Sequence, residues 1–78
     1  MIKIHLHLYS ILREKLPEKS KGKTVLQFDR QVTLADLLDE IGIERRVVIS
    51  VNGVQETNKS RQLKNGDEIK IFSSVSGG

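Results

Sequence analysis

The sequence predicts an α+β domain in which a mixed sheet of four to five strands carries one main helix packed on one face. Three observations lead there. Residues 2 to 9 alternate apolar and polar with a period of two, the pattern of a half-buried strand. Residues 34 to 41 repeat apolar side chains at helical spacing, and residues 68 to 72 return to alternation near the far end of the chain. With 78 residues and no cysteine, one small core has to suffice, without disulfides, an iron–sulfur cluster or a thiolate metal site.

In the first strand Ile2, Ile4, Leu6 and Leu8 share one face, and Lys3, His5, His7 and Tyr9 the other. Ser10 to Leu16 reads as a short helix capped by Ser10, with Leu12 and Leu16 one turn apart and Pro17 ending it. Glu18 to Gly22 is polar and reads as a surface loop. Residues 23 to 29 form a second strand, Leu26 and Phe28 inward and Val25, Gln27 and Asp29 outward, expected antiparallel to the first. Thr33 opens the main helix with Asp36 as its capping-box partner. Leu34, Leu37, Leu38 and Ile41 make a single apolar stripe, and Gly42 closes the helix. Val47 to Val51 is a third strand with Val47, Ile49 and Val51 on one face. Asn52-Gly53 then signals a type I′ hairpin with a short return through Val54 and Gln55. A turn at Asn65-Gly66 delivers the last strand, Glu68 to Phe72. A hairpin, a helix over one sheet face and a closing strand inserted beside the first describe a β-grasp. The domain is expected over residues 1–73, followed by a tail at 74–78.

Charge and composition narrow the functions. The net charge is +3, with basic residues gathered at Lys15, Lys19, Lys21 and Lys23 and again at Lys59, Arg61 and Lys64. Such a rim favours an acidic partner surface or nucleic acid. Only three aromatic residues are present, too few for a base-stacking platform, so a nucleic-acid partner is not expected. His5 and His7 lie two apart on the outer strand face, a spacing open to one metal ion, but no third ligand is near and solvated histidines are the simpler reading. The N-terminal alternation is neither a signal peptide nor a membrane span, which leads to the expectation of a cytoplasmic protein without a membrane partner.

Three apolar side chains break the pattern by facing outward. Tyr9 shares the face of Lys3 and His7, Phe72 that of Lys70, and Val48 stands opposite Val47 and Ile49. If the first and last strands are neighbours and the third flanks the last, the three converge. The resulting patch is either scattered apolar surface or a docking surface. The tail that follows, Val75-Ser76-Gly77-Gly78, also has two readings. One is a frayed end or a cloning remnant; the other is a thin thread for a narrow channel in a partner, since glycine has no Cβ.

Taken together, the run Tyr9-Ser10-Ile11-Leu12-Arg13-Glu14, the segment Val51-Asn52-Gly53, the segment Leu63-Lys64-Asn65-Gly66-Asp67-Glu68 and the terminal Val75-Ser76-Gly77-Gly78 resemble the ubiquitin-like sulfur carriers. Within that family the chain is most similar to the small subunit of molybdopterin synthase. Many members carry two prolines before the Val-x-Gly-Gly tail where this chain has Ser73-Ser74, so a more pliable tail is expected.

The resemblance implies that the Gly78 carboxylate is the reactive group, with Gly77 beside it in the channel. An adenylating enzyme of the ubiquitin-activating kind would use ATP and magnesium to form an acyl-adenylate. A persulfide sulfur donor would convert this to a thiocarboxylate, and the catalytic large subunit of molybdopterin synthase would accept the tail and use its sulfur to build the dithiolene. The carrier itself would bind no cofactor or metal and supply no acid or base. Tyr9, Phe72, Val48 and Val75 are then expected as apolar docking contacts, Ser76 as part of the threaded tail and Arg13 as a polar contact. Other acceptors fit the same chemistry, among them thiamine biosynthesis, tRNA thiolation and attachment to protein lysines as a modifier. Thiamine carriers tend to lack the Ser10 to Pro17 connector. Outside this class stands a non-catalytic β-grasp binding module, for which loss of Gly77 and Gly78 would leave function intact.

Overall fold

A computed structural model describes residues 1–16, 18–43 and 46–73. The strands are β1 (Ile2–Leu8), β2 (Lys23–Phe28), β3 (Val47–Val51), β4 (Val54–Glu56) and β5 (Glu68–Ser73), with one α-helix, α1 (Leu34–Ile41). They form a single sheet in the order β2-β1-β5-β3-β4. The first and last strands run parallel at its centre, and the other pairs are antiparallel. The inward residues Ile4, Leu6, Leu8, Ile49, Val51, Ile69 and Ile71 close a core with Leu34, Leu37 and Leu38 of α1. Burial of each such side chain contributes about 1.5–3 kcal/mol, a large share of what a domain of this size can hold.

The helix begins and ends where its flanking residues dictate. Thr33 is extended; its hydroxyl accepts from the Asp36 N–H at 3.2 Å, and the Asp36 carboxylate accepts from the Thr33 N–H at 3.0 Å. Gly42, at φ +75°, ends it in the left-handed conformation. At the β3–β4 turn Asn52 and Gly53 both have positive φ, 52° and 86°, as a type I′ hairpin requires.

Two local expectations are corrected. The segment after β1 is a 3-10 helix, Ser10–Lys15, and Ser10 does not cap it. The N-cap is Tyr9, with no side-chain cap bond, and Ser10 itself lies at φ +57°. The turn is tight because it is held at both sides: the Tyr9 N–H donates to the Ile71 carbonyl at 3.1 Å, the Leu12 N–H donates to the Tyr9 carbonyl at 3.1 Å, and Leu12 is driven into the core. Of the six residues only Leu12 is buried, and connectors between elements are a common place for 3-10 turns. Pro17 lies outside the described residues. The stretch after it is also more than a surface loop. It contains a 3-10 turn, Glu18–Ser20, and Gly22 is buried, with its carbonyl accepting from the Leu8 N–H at 2.7 Å. A Cβ on Gly22, at φ +82°, would stand 2.5 Å from the Leu8 carbonyl oxygen, so only glycine lets the chain pass β1 this closely.

Two of the segments behind the family resemblance make a clasp at the start of β5. The Asp67 carboxylate, almost fully buried, accepts from the Asn52 side-chain amide at 3.0 Å and from the Lys64 N–H at 2.8 Å. The Asn52 side-chain oxygen accepts from the Glu68 N–H at 2.9 Å, and the Asn65 side-chain oxygen accepts from the Lys3 N–H at 2.8 Å. These residues tie the hairpin, the Lys64–Asp67 turn and β1 together. Asp67→Ala leaves two donors unpaired and is expected to lower stability by about 1–3 kcal/mol. Urea unfolding of the variant measures it, and an unchanged midpoint would contradict the assigned role.

Candidate functional site

At the opposite end of β5 the sheet's outer face carries an aromatic stack. Period-two alternation places Phe72 outward next to the buried Ile71, and the β3–β5 register sets Val48 directly opposite Phe72. The Tyr9 and Phe72 rings stack at a centroid distance of 4.3 Å and an interplanar angle of 15°. His7 lies on the other side of Tyr9, at 3.9 Å and 27°. Phe72 is 36% exposed and Val48 38%, so both present apolar surface to solvent. The predicted convergence of Tyr9, Phe72 and Val48 is therefore present. Ser73, which follows Phe72, is the last residue of β5 and the last one described. Val75, Ser76, Gly77 and Gly78 lie outside the described residues.

Reading the sequence missed His7 as a member of this stack. The signal was available: His7 and Tyr9 are two apart on one strand face, the spacing at which rings on neighbouring positions can meet. The β1 registers then set His7 between Lys23 of β2 and Lys70 of β5 in one row across the sheet. Its partial burial pushes its pKa below the ordinary histidine value, and the positive charges of Lys23, Lys70 and Arg13 push it the same way against the opposing effect of Glu68. The neutral imidazole is therefore favoured near pH 7. Arg13 is exposed, with its aliphatic stem close to Gly22, and its charge reaches His7 from the 3-10 segment. It thus belongs to the neighbourhood of His7.

The remaining charged groups divide differently from the sequence expectation. Arg61 is not part of a free basic rim, since its guanidinium pairs with Glu56 at 2.7 Å and holds that carboxyl below the usual range. Among the described residues no group of three His, Cys, Asp or Glu side chains is placed to hold a metal ion, and His5 and His7 acquire no third ligand. No helix among the described residues is long and apolar enough to cross a membrane.

Residues 7–78 match the model of the ThiS family. The chain belongs to that family. This ThiS-family protein has the ubiquitin-like β-grasp fold of the sulfur carriers, and its structural relatives agree. It is similar to a candidate molybdopterin converting factor subunit 1 from Pyrococcus furiosus, with a TM-score of 0.77 at 20% identity over 96% of this chain and 100% of that one. It is also similar to the small archaeal modifier protein 1 of H. volcanii, with a TM-score of 0.74 at 18% identity over 96% and 100%. A third relative is found in the complex of subunits 1 and 2 of molybdopterin-converting factor from Helicobacter pylori, with a TM-score of 0.66 at 17% identity over 99% and 100%. No curated protein matches the chain significantly by sequence.

Proposed function

We propose that this protein is a cytoplasmic sulfur carrier that acts as the small subunit of molybdopterin synthase, with the Gly78 carboxylate as its reactive group. The observation that carries the reading is the half-buried His7–Tyr9–Phe72 stack at the end of β5, with Phe72 exposed, from which the Val75-Ser76-Gly77-Gly78 motif follows in sequence. Membership of the ThiS family supports the chemistry. A free carboxylate is a poor acyl donor, so an adenylating enzyme would first join it to AMP, using ATP and magnesium and releasing pyrophosphate. The terminal sulfur of a persulfide donor then displaces AMP, and a second thiol cleaves the resulting acyl disulfide to release the thiocarboxylate. In this scheme the carrier contributes the tail and a docking face formed by Tyr9, Val48 and Phe72, with Arg13 at its margin. Val75 and Ser76 would enter the channel of the catalytic large subunit with Gly77 and Gly78. Acid–base groups and metal come from the partners.

The 3-10 connector Ser10–Lys15, with Leu12 in the core, supports this assignment over the shorter thiamine carriers. A second reading, attachment through Gly78 to protein lysines, draws on the similarity to the small archaeal modifier protein. Intact-mass spectrometry of untagged protein from its own cells tests both. A gain of about 16 Da for oxygen replaced by sulfur, mapped by fragmentation to Gly78 and thereby separated from oxidation of Met1, is the expected result. Gly78 joined to lysine would instead favour the modifier. A free carboxylate that an activating enzyme, ATP and a sulfur donor leave unchanged would overturn the carrier reading.

A further inference from the structure

Beside the aromatic stack, the outer face of β2, β1 and β5 forms a shallow groove of about 550 Å³. Its lining includes Lys23, His5, His7, Tyr9 and Lys70, with Glu68 at one side. One row across the sheet runs Lys23–His7–Lys70. Groups of like charge directly opposite one another destabilise a sheet, and here two lysines flank a histidine that would join them if protonated. Compensation within the domain is slight. The Glu68 carboxylate meets Lys70 only at 3.9 Å, both being well exposed, and Lys23 makes no ion pair among the described residues. Arg13 adds a fourth group from the 3-10 segment that acts on His7. The row is continuous with Tyr9 and Phe72, so a partner lying on the stack also covers part of the groove.

Covering this row with apolar surface alone would remove the ammonium groups from water with nothing to replace it, which is costly. We propose that the protein surface docking on the stack is acidic where it meets the groove, and that it places carboxylates against Lys23 and Lys70 beside His7. The same row disfavours an apolar partner face, so it selects among partners as well as attracting one. Nucleic acid is the weaker occupant. Tyr9 has His7 on one face and Phe72 on the other, and neither face is free to stack a base. The inference builds on the docking role proposed for Tyr9 and Phe72. It concerns the charge of the partner and not its pathway, so it can fail while the mass measurement upholds the carrier chemistry.

The test is a titration of the 15N-labelled full chain with poly-L-glutamate at low salt, followed by two-dimensional NMR, with an oligothymidylate of similar charge in parallel. The expected shifts centre on His7, Lys23, Thr24 and Lys70. The Lys23→Glu/Lys70→Glu double variant should lower the affinity about tenfold or more, whereas Lys59→Glu/Lys64→Glu should leave it nearly unchanged. Comparison of the variants' urea midpoints separates lost charge from lost folding, and Lys23→Arg/Lys70→Arg should restore binding. A second readout is the His7 ring titration. Arg13, Lys23 and Lys70 oppose protonation in the free protein, and Glu68 favours it. A carboxylate placed beside them should raise the midpoint, so binding should take up a proton and strengthen as pH falls through the range below 6.5. Shifts spread over Lys15, Lys19, Lys59 and Lys64, tighter binding of oligothymidylate in the groove, or a His7 midpoint that falls on binding would each overturn the proposal.

Discussion

Deleting Gly78 is expected to abolish sulfur loading and leave the fold unchanged. The two halves of this result have separate causes. In the proposed scheme the chemistry resides on the terminal carboxylate, and a chain one residue shorter would withdraw that group by about 3.5 Å from the point where the adenylating enzyme would hold ATP. Displacements of about 1 Å can already cost a hundredfold in such reactions, so loss of the whole residue should leave no measurable thiocarboxylate. The core residues, in contrast, run from Ile4 to Ile71, and the clasp on Asp67 closes within the same region. The urea midpoint of the truncated protein should therefore match that of the full chain. Intact mass after incubation with the activating enzyme, ATP, magnesium and a persulfide donor is the measurement. Normal loading of the shortened protein would remove Gly78 from the mechanism.

Phe72→Ala is expected to weaken docking of the large subunit by about 2 kcal/mol or more, roughly thirtyfold, as truncation of a central aromatic anchor commonly does. Phe72 is suited to that role because it is held without being buried. Tyr9 stacks on it at 4.3 Å, and β3 sets Val48 beside it. A partner therefore meets a rigid ring and spends little entropy ordering it. The stack itself should contribute about 0.5–1.5 kcal/mol to stability, so the variant stays folded and the binding loss can be read directly. Val54→Ala, on the edge strand β4 and 65% exposed, is the control. It should bind normally, and calorimetric titration that finds equal losses for the two variants would show that the aromatic end of β5 is not the docking surface.

The legible part of this molecule was the part governed by local rules. Ile2 through Leu8 alternate because one sheet face meets the core, and the burial along β1 follows that alternation. Thr33 and Asp36 declared the start of α1, Gly42 its end, and Asn52-Gly53 the hairpin, since each answers a backbone requirement within a few residues. Ser10 misled for the same reason. It has the chemistry of a cap, but its conformation is set by Leu12 in the core and by the Tyr9–Ile71 hydrogen bond, both of which are tertiary. Gly22 looked like an ordinary loop residue because the atom that forbids a side chain there, the Leu8 carbonyl oxygen, belongs to a strand fourteen positions earlier.

The site divides along the same line. The outward apolar residues Tyr9, Val48 and Phe72 could be picked out from alternation alone, and their meeting required only the guess that β5 lies between β1 and β3, which the sheet order shows. The stacking of His7 on Tyr9 and the position of His7 between Lys23 and Lys70 depend on ring orientation and on the registers of two strand pairs. By itself, the sequence determined the strand and helix periodicities, the caps and turns, and the Val75-Ser76-Gly77-Gly78 motif that bears the proposed chemistry. Only the tertiary structure decided which side chains share the outer face of β2, β1 and β5 and what charge they present together, because pairing register is a relation between segments distant in the chain and no local preference encodes it.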